Sequence, residues 1–417
     1  MTSEQLLLAS EKFGTPTYVY DANKIRTQYK RLENAFDKLP VKLHYAMKAL
    51  SNINVLRLLK NEGAGLDAVS IQEVHLGLRA GFMPRSIMYT PNCVDFSEIQ
   101  EAAEIGVHIN IDNLTILEEF GHVYGNSVPC CIRINPHIMA GGNSNISVGH
   151  IDSKFGISIH QVRHIKRIIE NYGIRVNGLH MHTGSDINDA QVFLRGAELL
   201  YEAANSFPDL EFLDFGSGFK IAYKEGDYVA EIEKIGYDIA QSFRQFCIEY
   251  GRELELWFEP GKYIVSEAGQ LLVRANVIKQ TTSTVFIGVN SGQNHLIRPM
   301  FYNAYHQIDN ISNPEGTKRL YSVVGYICES DTLGYDRILT EVNVGDILSI
   351  KNAGAYGFSM ANNYNSRFRP AEVLVDGDSI QLIRKVETLE DLVANEVDLE
   401  EFKTQKKNIS QKKKPNG

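Results

Sequence analysis

The sequence predicts an α/β protein: a (β/α)8 TIM barrel followed by a C-terminal all-β domain. Three observations carry the prediction. Eight short apolar runs alternate with helix-like segments between about residues 41 and 260. Helical periodicity stops after Gly261. Segments rich in β-branched and aromatic residues then alternate to about residue 390. Strand–helix alternation with short connections implies parallel strands and right-handed crossovers. Eight such units favour a closed barrel over a doubly wound open sheet, the competing architecture. Four regions follow. Residues 1–25 form an N-terminal segment that joins the β domain, 26–264 the barrel, and 265–390 the β domain. Residues 391–417 form an acidic, then lysine-rich tail, expected to be disordered at its end.

The barrel strands are expected at Val41–Ala46, Gly65–Val69, Ser86–Thr90, Val107–Ile111, Pro129–Asn135, Val176–His182, Leu210–Phe215 and Leu254–Phe258. Helix-like stretches between them include Val55–Glu62, Gln72–Arg79, Glu98–Glu104, His160–Glu170, Ala190–Ala204 and Val229–Tyr250. Gly63, Gly81, Gly106, Gly173 and Gly251 stand just beyond helices, where a left-handed residue ends them. In the β domain, strands are expected at Gln270–Ile278, Thr284–Val289, Tyr321–Ile327, Ile347–Ile350, Glu372–Val375 and Ser379–Arg384. Asp376-Gly377 supplies a hairpin signal between the last two. Thr17–Tyr20 reads as a further strand able to join this domain.

The 417-residue chain is 43% hydrophobic and 22% charged, so it buries a sizeable core. With 42 basic and 51 acidic side chains its net charge is −9, which argues against a nucleic-acid protein. Five scattered cysteines fit a reducing cytoplasm better than a disulfide framework. The N-terminus lacks the apolar run of a signal peptide, and no window approaches a membrane span. The expectation is a soluble cytoplasmic protein with no membrane partner.

Four segments offer chemistry. In VKLHYAMKAL (41–50) the even positions Lys42, His44, Ala46 and Lys48 share one strand face. Lys48 then projects inward at the strand's C-terminal end, where barrel enzymes build their sites. Burial there should depress its pKa and make it an amine nucleophile; a surface lysine is the plain alternative. In GLHMHTGS (178–185), His180 and His182 share the inward face. They suggest ligand contact, although one of them hydrogen-bonded in the interior, or a hydrolase metal pair, fits the same pattern. A convincing set of further metal ligands is missing, so no metal is expected. In LDFGSGFKI (213–221) a strand runs into Gly216-Ser217-Gly218, a turn able to present backbone N–H groups to an anion, as any tight turn can. In WFEPGKYI (257–264), Glu259 ends a strand and can pair with a protonated ring nitrogen. Together, an inward lysine, an inward histidine, glycine-rich turns and a strand-end carboxylate match what pyridoxal 5'-phosphate asks of a protein.

In this order, Tyr45-Ala46-x-Lys48, His182-Thr183-Gly184-Ser185, Gly216-Ser217-Gly218 and Glu259-Pro260-Gly261 resemble the alanine-racemase-like (fold type III) pyridoxal-phosphate enzymes. Cys328-Glu329-Ser330-Asp331, Gly354-Ala355-Tyr356-Gly357 and Tyr364-Asn365-Ser366-Arg367-x-Arg369-Pro370 are similar to the decarboxylase branch, and within it to the diaminopimelate decarboxylases. The segment Ile297–Tyr302 is similar to that subfamily too. The resemblance spans roughly residues 12–390. It implies that Lys48 binds the cofactor covalently, His182 stacks on its ring and Glu259 pairs with its ring nitrogen. Ser185, Gly216, Gly218, Gly261 and Lys262 would approach the phosphate, with Tyr364 contributing from the second domain. Arg298, Tyr302 and Glu329 would meet the substrate's distal end, Lys262 and Tyr364 also standing as candidate substrate contacts. Cys328 would protonate the carbanion, from a loop that enters the neighbouring subunit's site, so a homodimer is implied.

The residue types agree with decarboxylation. A decarboxylase replaces CO2 with one proton, a task suited to a thiol, whereas a racemase needs two bases. Arg298 gives two-point recognition of a carboxylate and Glu329 can take an ammonium, a pairing that favours meso-2,6-diaminopimelate as substrate. The expected reaction is its conversion to L-lysine and CO2. Alternatives are a decarboxylase of carboxynorspermidine, ornithine or lysine, a pyridoxal-phosphate carrier, or a metal-dependent hydrolase. Two departures from the family pattern stand out: Ser217 within an otherwise all-glycine turn, and Lys262 in place of arginine after Glu-Pro-Gly, which keeps the charge but loses the bidentate fork.

Overall fold

The computed structural model describes residues 1–138, 153–184, 187, 190–224, 226–229 and 231–399. Strand β1 (Thr17–Asp21) precedes the barrel. The barrel consists of β2 (Val41–Ala46), β3 (Gly65–Ala68), β4 (Ile87–Tyr89), β5 (His108–Ile111), β6 (Cys130–Asn135, with the short β7, Ile157–Ser158, beside it), β8 (Val176–His180), β9 (Phe212–Asp214) and β10 (Glu255–Phe258). All neighbours are parallel, in the order β5-β4-β3-β2-β10-β9-β8-β6. Pairing of β5 with β6 closes the ring. Each of the eight expected strands is present, shorter than expected by a residue or more in most cases.

The helices between them follow local rules. In Ile232–Tyr250 the buried residues Ile232, Ile235, Ile239, Phe243 and Phe246 recur at three- and four-residue spacing, each contributing roughly 1.5–3 kcal/mol on burial. Ser70 accepts the N–H of Glu73 to start helix Ile71–Ala80, and Gly81 at φ +96° ends it. Inside the ring, Trp257 and Phe212 stack with centroids 3.7 Å apart, and with Met88 and Cys131 they make a floor beneath the strand ends.

The remaining strands are β11 (Gly269–Gln280), β12 (Val285–Val289), β13 (Ile308–Asn310), β14 (Lys318–Val324), β15 (Thr332–Thr340), β16 (Ile347–Ile350), β17 (Ala371–Asp376) and β18 (Ser379–Arg384). They form one sheet ordered β15-β14-β12-β11-β1-β17-β18, with β16 on β11 and β13 on β16. Strand β1 lies between β11 and β17, antiparallel to the first and parallel to the second. Gly377, at φ +59°, makes the hairpin between β17 and β18.

Two readings are corrected. The strand expected at Tyr321–Ile327 runs instead over Lys318–Val324. The nine-residue β15 was not anticipated: Asp336-Arg337 breaks the apolar alternation, and Asp336 takes φ +48° within the strand. Ser185 and residues 400–417 of the tail lie outside the described residues.

Candidate active site

The C-terminal strand ends surround a cavity of about 410 Å3. Lys48 sits in the single turn Met47–Ala49 beyond β2 rather than on the strand itself. Its Nζ lies 2.7 Å from Oδ2 of Asp67 on β3; the lysine stays open to the cavity while Asp67 is buried. The expected depression of this amine is overturned. Burial pulls it down, but the charges of Asp67 and Glu259 and the neighbouring Tyr356 outweigh burial and hold it above its ordinary value. Lys48 therefore rests as an ammonium paired with Asp67.

Glu259 follows β10 on the same face as Trp257 and is 7% exposed. Its Oε2 accepts from His180 Nε2 at 3.2 Å, and Thr90 Oγ1 lies 3.5 Å from Oε1. Burial alone would raise this carboxyl, but His180, which hydrogen-bonds to it, and the Lys48 ammonium hold it well below the usual carboxylate range. It is a buried, ionised carboxylate at the cavity wall. His182, just beyond β8, accepts the Ser217 N–H on Nδ1 at 3.2 Å. Burial and then Arg133 push its pKa down to about 3, so its ring is neutral and fit for stacking. The two histidines thus take separate partners.

Gly216 has φ +63°, and a Cβ there would stand 2.6 Å from His182 Nδ1 and 2.7 Å from Met181 O. At Gly218, φ +128°, a Cβ would meet Gly184 O at 2.5 Å. The turn has room for no side chain at either position. Its donors are less free than expected, because Gly216 N–H is committed to Asp214 Oδ1 at 2.8 Å and Ser217 N–H to His182. Gly218 lines the cavity. Gly261 packs against Ala46 and Ala49, and Lys262 opens the turn Lys262–Val265 at the cavity wall.

Other cavity residues were missed in the sequence. Besides Asp67, which pairs with Lys48 from behind the lining, Arg133 within β6 lines the cavity, 8% exposed with its guanidinium 4.8 Å over the Phe155 ring. Tyr356 reaches the cavity from the second sheet's loops, its N–H bonded to Ala49 O at 2.9 Å. Strand alternation was the available signal for the first two: Asp67 is the inward residue between Leu66 and Ala68, and Arg133 lies between Ile132 and Ile134.

Six expected site residues lie outside this cavity's lining: Gly216, immediately behind Ser217, and five from the second domain. Cys328, Glu329 and Tyr364 form an exposed cluster with Asn365. Tyr364 OH donates to Glu329 Oε1 at 2.9 Å, and Asn365 Nδ2 lies 3.2 Å from Cys328 Sγ. Arg298 and Tyr302 lie together elsewhere. The Arg298 guanidinium sits 5.7 and 5.8 Å over the rings of Tyr223 and Tyr302 and donates to Tyr223 OH at 3.1 Å. It is 8% exposed and has no carboxylate partner among the described residues. All five cysteines are free, and no helix among the described residues is long and apolar enough to cross a membrane.

Residues 22–266 match the family described as "Pyridoxal-dependent decarboxylase, pyridoxal binding domain". The diaminopimelate decarboxylase of Methanothermobacter thermautotrophicus is 38% identical over 92% of this chain and 92% of its own length. The chain belongs to the diaminopimelate decarboxylase family. Within that family, the Pseudomonas aeruginosa enzyme is 36% identical, covering 93% of this chain and 94% of its own. The crystal structure of the Helicobacter pylori diaminopimelate decarboxylase, complexed with L-lysine, superposes with a TM-score of 0.86 at 32% identity, covering 96% of this chain and 100% of that one. The cofactor of the family fits this cavity: an amine, a buried anionic carboxylate, a neutral imidazole and the Ser217-Gly218 turn face it together.

Proposed function

We propose that this chain decarboxylates meso-2,6-diaminopimelate to L-lysine and CO2, the last step of lysine biosynthesis, using pyridoxal 5'-phosphate. The observation that carries the reading is the ionised, buried Glu259 sharing one cavity with the Lys48 amine and the neutral His182 ring. When bound, the cofactor supplies an electron sink for the pair left on Cα as CO2 departs. Glu259 holds a proton on the ring nitrogen. His182 covers one ring face and keeps water from it. Asp67 stabilises the Lys48 ammonium whenever that amine is released. Gly216 and Gly218 keep space for the phosphate, and Ser185 and Lys262 are assigned to approach it.

Distal recognition is assigned to Arg298, whose buried guanidinium lacks a carboxylate partner among the described residues. A buried charge of this kind is costly until it is paired, and a substrate carboxylate supplies the pair. Tyr302 flanks it, and Glu329 takes the distal ammonium. The Cys328 thiol returns the proton to Cα. Because the Cys328–Glu329–Tyr364 cluster is exposed and outside its own chain's cavity, we assign it to the site of a second copy in a homodimer. Free thiols throughout support a reducing, cytoplasmic setting.

Carbon dioxide release from the purified protein tests the reading. Release from meso-diaminopimelate is expected, with none from ornithine, lysine or carboxynorspermidine. Release from one of these instead would reassign the substrate.

A further inference from the structure

The loop that joins β14 to β15, residues 325–331, carries Cys328 and Glu329 at its tip. It is closed from within. Gly325 N–H donates to Asp331 O at 2.7 Å, and Asp331 Oδ2 accepts the Ile327 N–H at 2.8 Å. The other Asp331 oxygen accepts the Gln293 N–H at 2.5 Å. Neither Gly292 nor Gly325 has room for a side chain, because a Cβ would stand 2.3 or 2.1 Å from Asp331 Oδ2. The tip of this pinned loop rests on the turn Tyr364–Ser366. One side chain there, Asn365, meets Cys328 twice. Its Oδ1 accepts the Cys328 N–H at 3.1 Å, and its Nδ2 lies 3.2 Å from Sγ. Asn365 takes φ 56°, ψ 29°, a left-handed conformation that asparagine tolerates better than most residues. Two further contacts hold turn and loop together: Tyr364 OH donates to Glu329 Oε1, and the Arg367 guanidinium lies 3.9 Å over the Tyr326 ring.

We propose that Asn365 is a positioning residue for proton return: its amide aims the Cys328 thiol and stabilises the thiolate left once the proton has gone to Cα. The inference rests on Cys328 being the acid, as assigned above. The orientation of the amide follows from its partners. A backbone N–H can only donate, so the amide oxygen faces the Cys328 N–H and the amide nitrogen faces the sulfur. Sγ therefore accepts from Asn365, and its own hydrogen points away from the amide. The nearest recorded acceptor for that hydrogen is Tyr364 OH, 3.9 Å from Sγ, too distant to hold it firmly. The hydrogen is left for the substrate. In the transfer, the S–H bond breaks and a C–H bond forms at Cα, using the electron pair that CO2 left there. The S–H pair stays on sulfur, and the thiolate regains a proton from water before the next turnover. The Asn365 Nδ2–H then bonds an anion instead of a neutral thiol, and hydrogen bonds to ions are roughly twice as strong. A donor already aimed at the atom where charge develops favours the transfer itself. The titratable and charged groups on the two segments are Tyr326, Glu329 and Asp331 on the loop side and Tyr364 and Arg367 on the turn. Carboxyl groups beside the thiol oppose a negative sulfur, and the Arg367 guanidinium is stacked on Tyr326. The amide of Asn365 is the group bonded to the sulfur that favours it.

The decisive variant is Asn365→Asp. It keeps an acceptor for the Cys328 N–H and a residue type that tolerates the left-handed turn, and it replaces the donor at sulfur with an oxygen. Asn365→Gly suits the same backbone and offers the sulfur nothing. Alkylation of the holoenzyme by iodoacetamide, followed on the peptide that carries Cys328, reads the thiol without reference to turnover. At about pH 7.5 both variants are expected to react about tenfold more slowly than the parent, because the thiolate is the reacting form. The gap should close near pH 10, where a thiol is mostly ionised without help. Turnover should follow the thiol: kcat falls by about tenfold, while KM and cofactor affinity stay within about twofold. Parent-like alkylation of Asn365→Asp, a gap that persists at pH 10, or a loss confined to KM would overturn the proposal, since the amide would then only shape the turn or bind substrate. Full turnover by Cys328→Ala would instead remove the acid assignment beneath it, and the alkylation rates would still report on the amide.

Discussion

Glu259 is the residue whose environment says most. A carboxylate buried this deeply stays charged only because the His180 hydrogen bond and the Lys48 ammonium stand beside it. Its charge is what keeps a ring nitrogen protonated, so an isosteric neutral side chain should separate binding from chemistry. Glu259→Gln is expected to retain cofactor while losing turnover by about 100-fold or more, a cost typical of deleting one preorganised electrostatic partner. Steady-state kinetics with the cofactor content measured in parallel checks this. Unchanged kcat would remove Glu259 from its role. Lys48 teaches the converse point: burial alone predicts a depressed amine, but two nearby carboxylates reverse the sign.

At the scale of elements, the site depends on where strands end. Residues 214–218 pass from β9 into a turn that lies against His182 and Gly184, with no space for a Cβ at Gly216 or Gly218. Gly216→Ala adds a side chain at φ +63° against two atoms under 3 Å away. Strain of about 1–3 kcal/mol is expected there, enough to move the His182 ring or the turn. Cofactor affinity, measured by titration of the cofactor-free protein, should weaken by about tenfold, with the thermal midpoint of that form lowered as well. Wild-type affinity would show that the turn relaxes without cost. The missed β15 belongs to this scale too. Its charged pair Asp336-Arg337 hides a strand that backbone pairing with β14 nevertheless builds.

At the scale of the whole molecule, two predictions concern assembly and acid. If Cys328 serves the partner's cavity, Lys48→Ala and Cys328→Ala proteins are each inactive or nearly so, yet mixing them restores activity. Random exchange of subunits leaves about one quarter of the sites intact. Mixtures no better than either parent would place Cys328 in its own chain's site or outside the reaction. For acid, burial first of all holds His44, His182 and His306 down to about 3, and His295 to about 4. The unfolded chain titrates its imidazoles near 6.5, so it binds protons that the fold refuses. Stability from these groups is complete above about pH 6.5 and drains away as pH falls toward 3. Asp67, Glu73, Asp214 and Asp331, all raised, act in the opposite sense but are outnumbered by the lowered imidazoles once His108 is included. The thermal midpoint of the protein should fall steadily between pH 7 and pH 4.5 (roughly the upper part of that window). A flat profile would contradict the neutral burial of these rings.

Much of this was legible from the chain alone, and for a definite reason. Period-two alternation and helix-ending glycines are local, so they revealed eight barrel strands and the inward direction of Lys48, His182 and Glu259. They also placed Gly216, Gly218, Gly261 and Lys262 at one end of the barrel. What depends on contacts between distant strands was not legible. The sign of the Lys48 shift needed Asp67 on β3 beside it, and the division of labour between His180 and His182 needed Glu259 and Ser217. Arg133 and Tyr356 entered the cavity only through ring closure and the docking of the second sheet. Alternation tells which way a side chain points; only the closed barrel decides which charges it meets there, because electrostatic energy depends on distance through space and not along the chain.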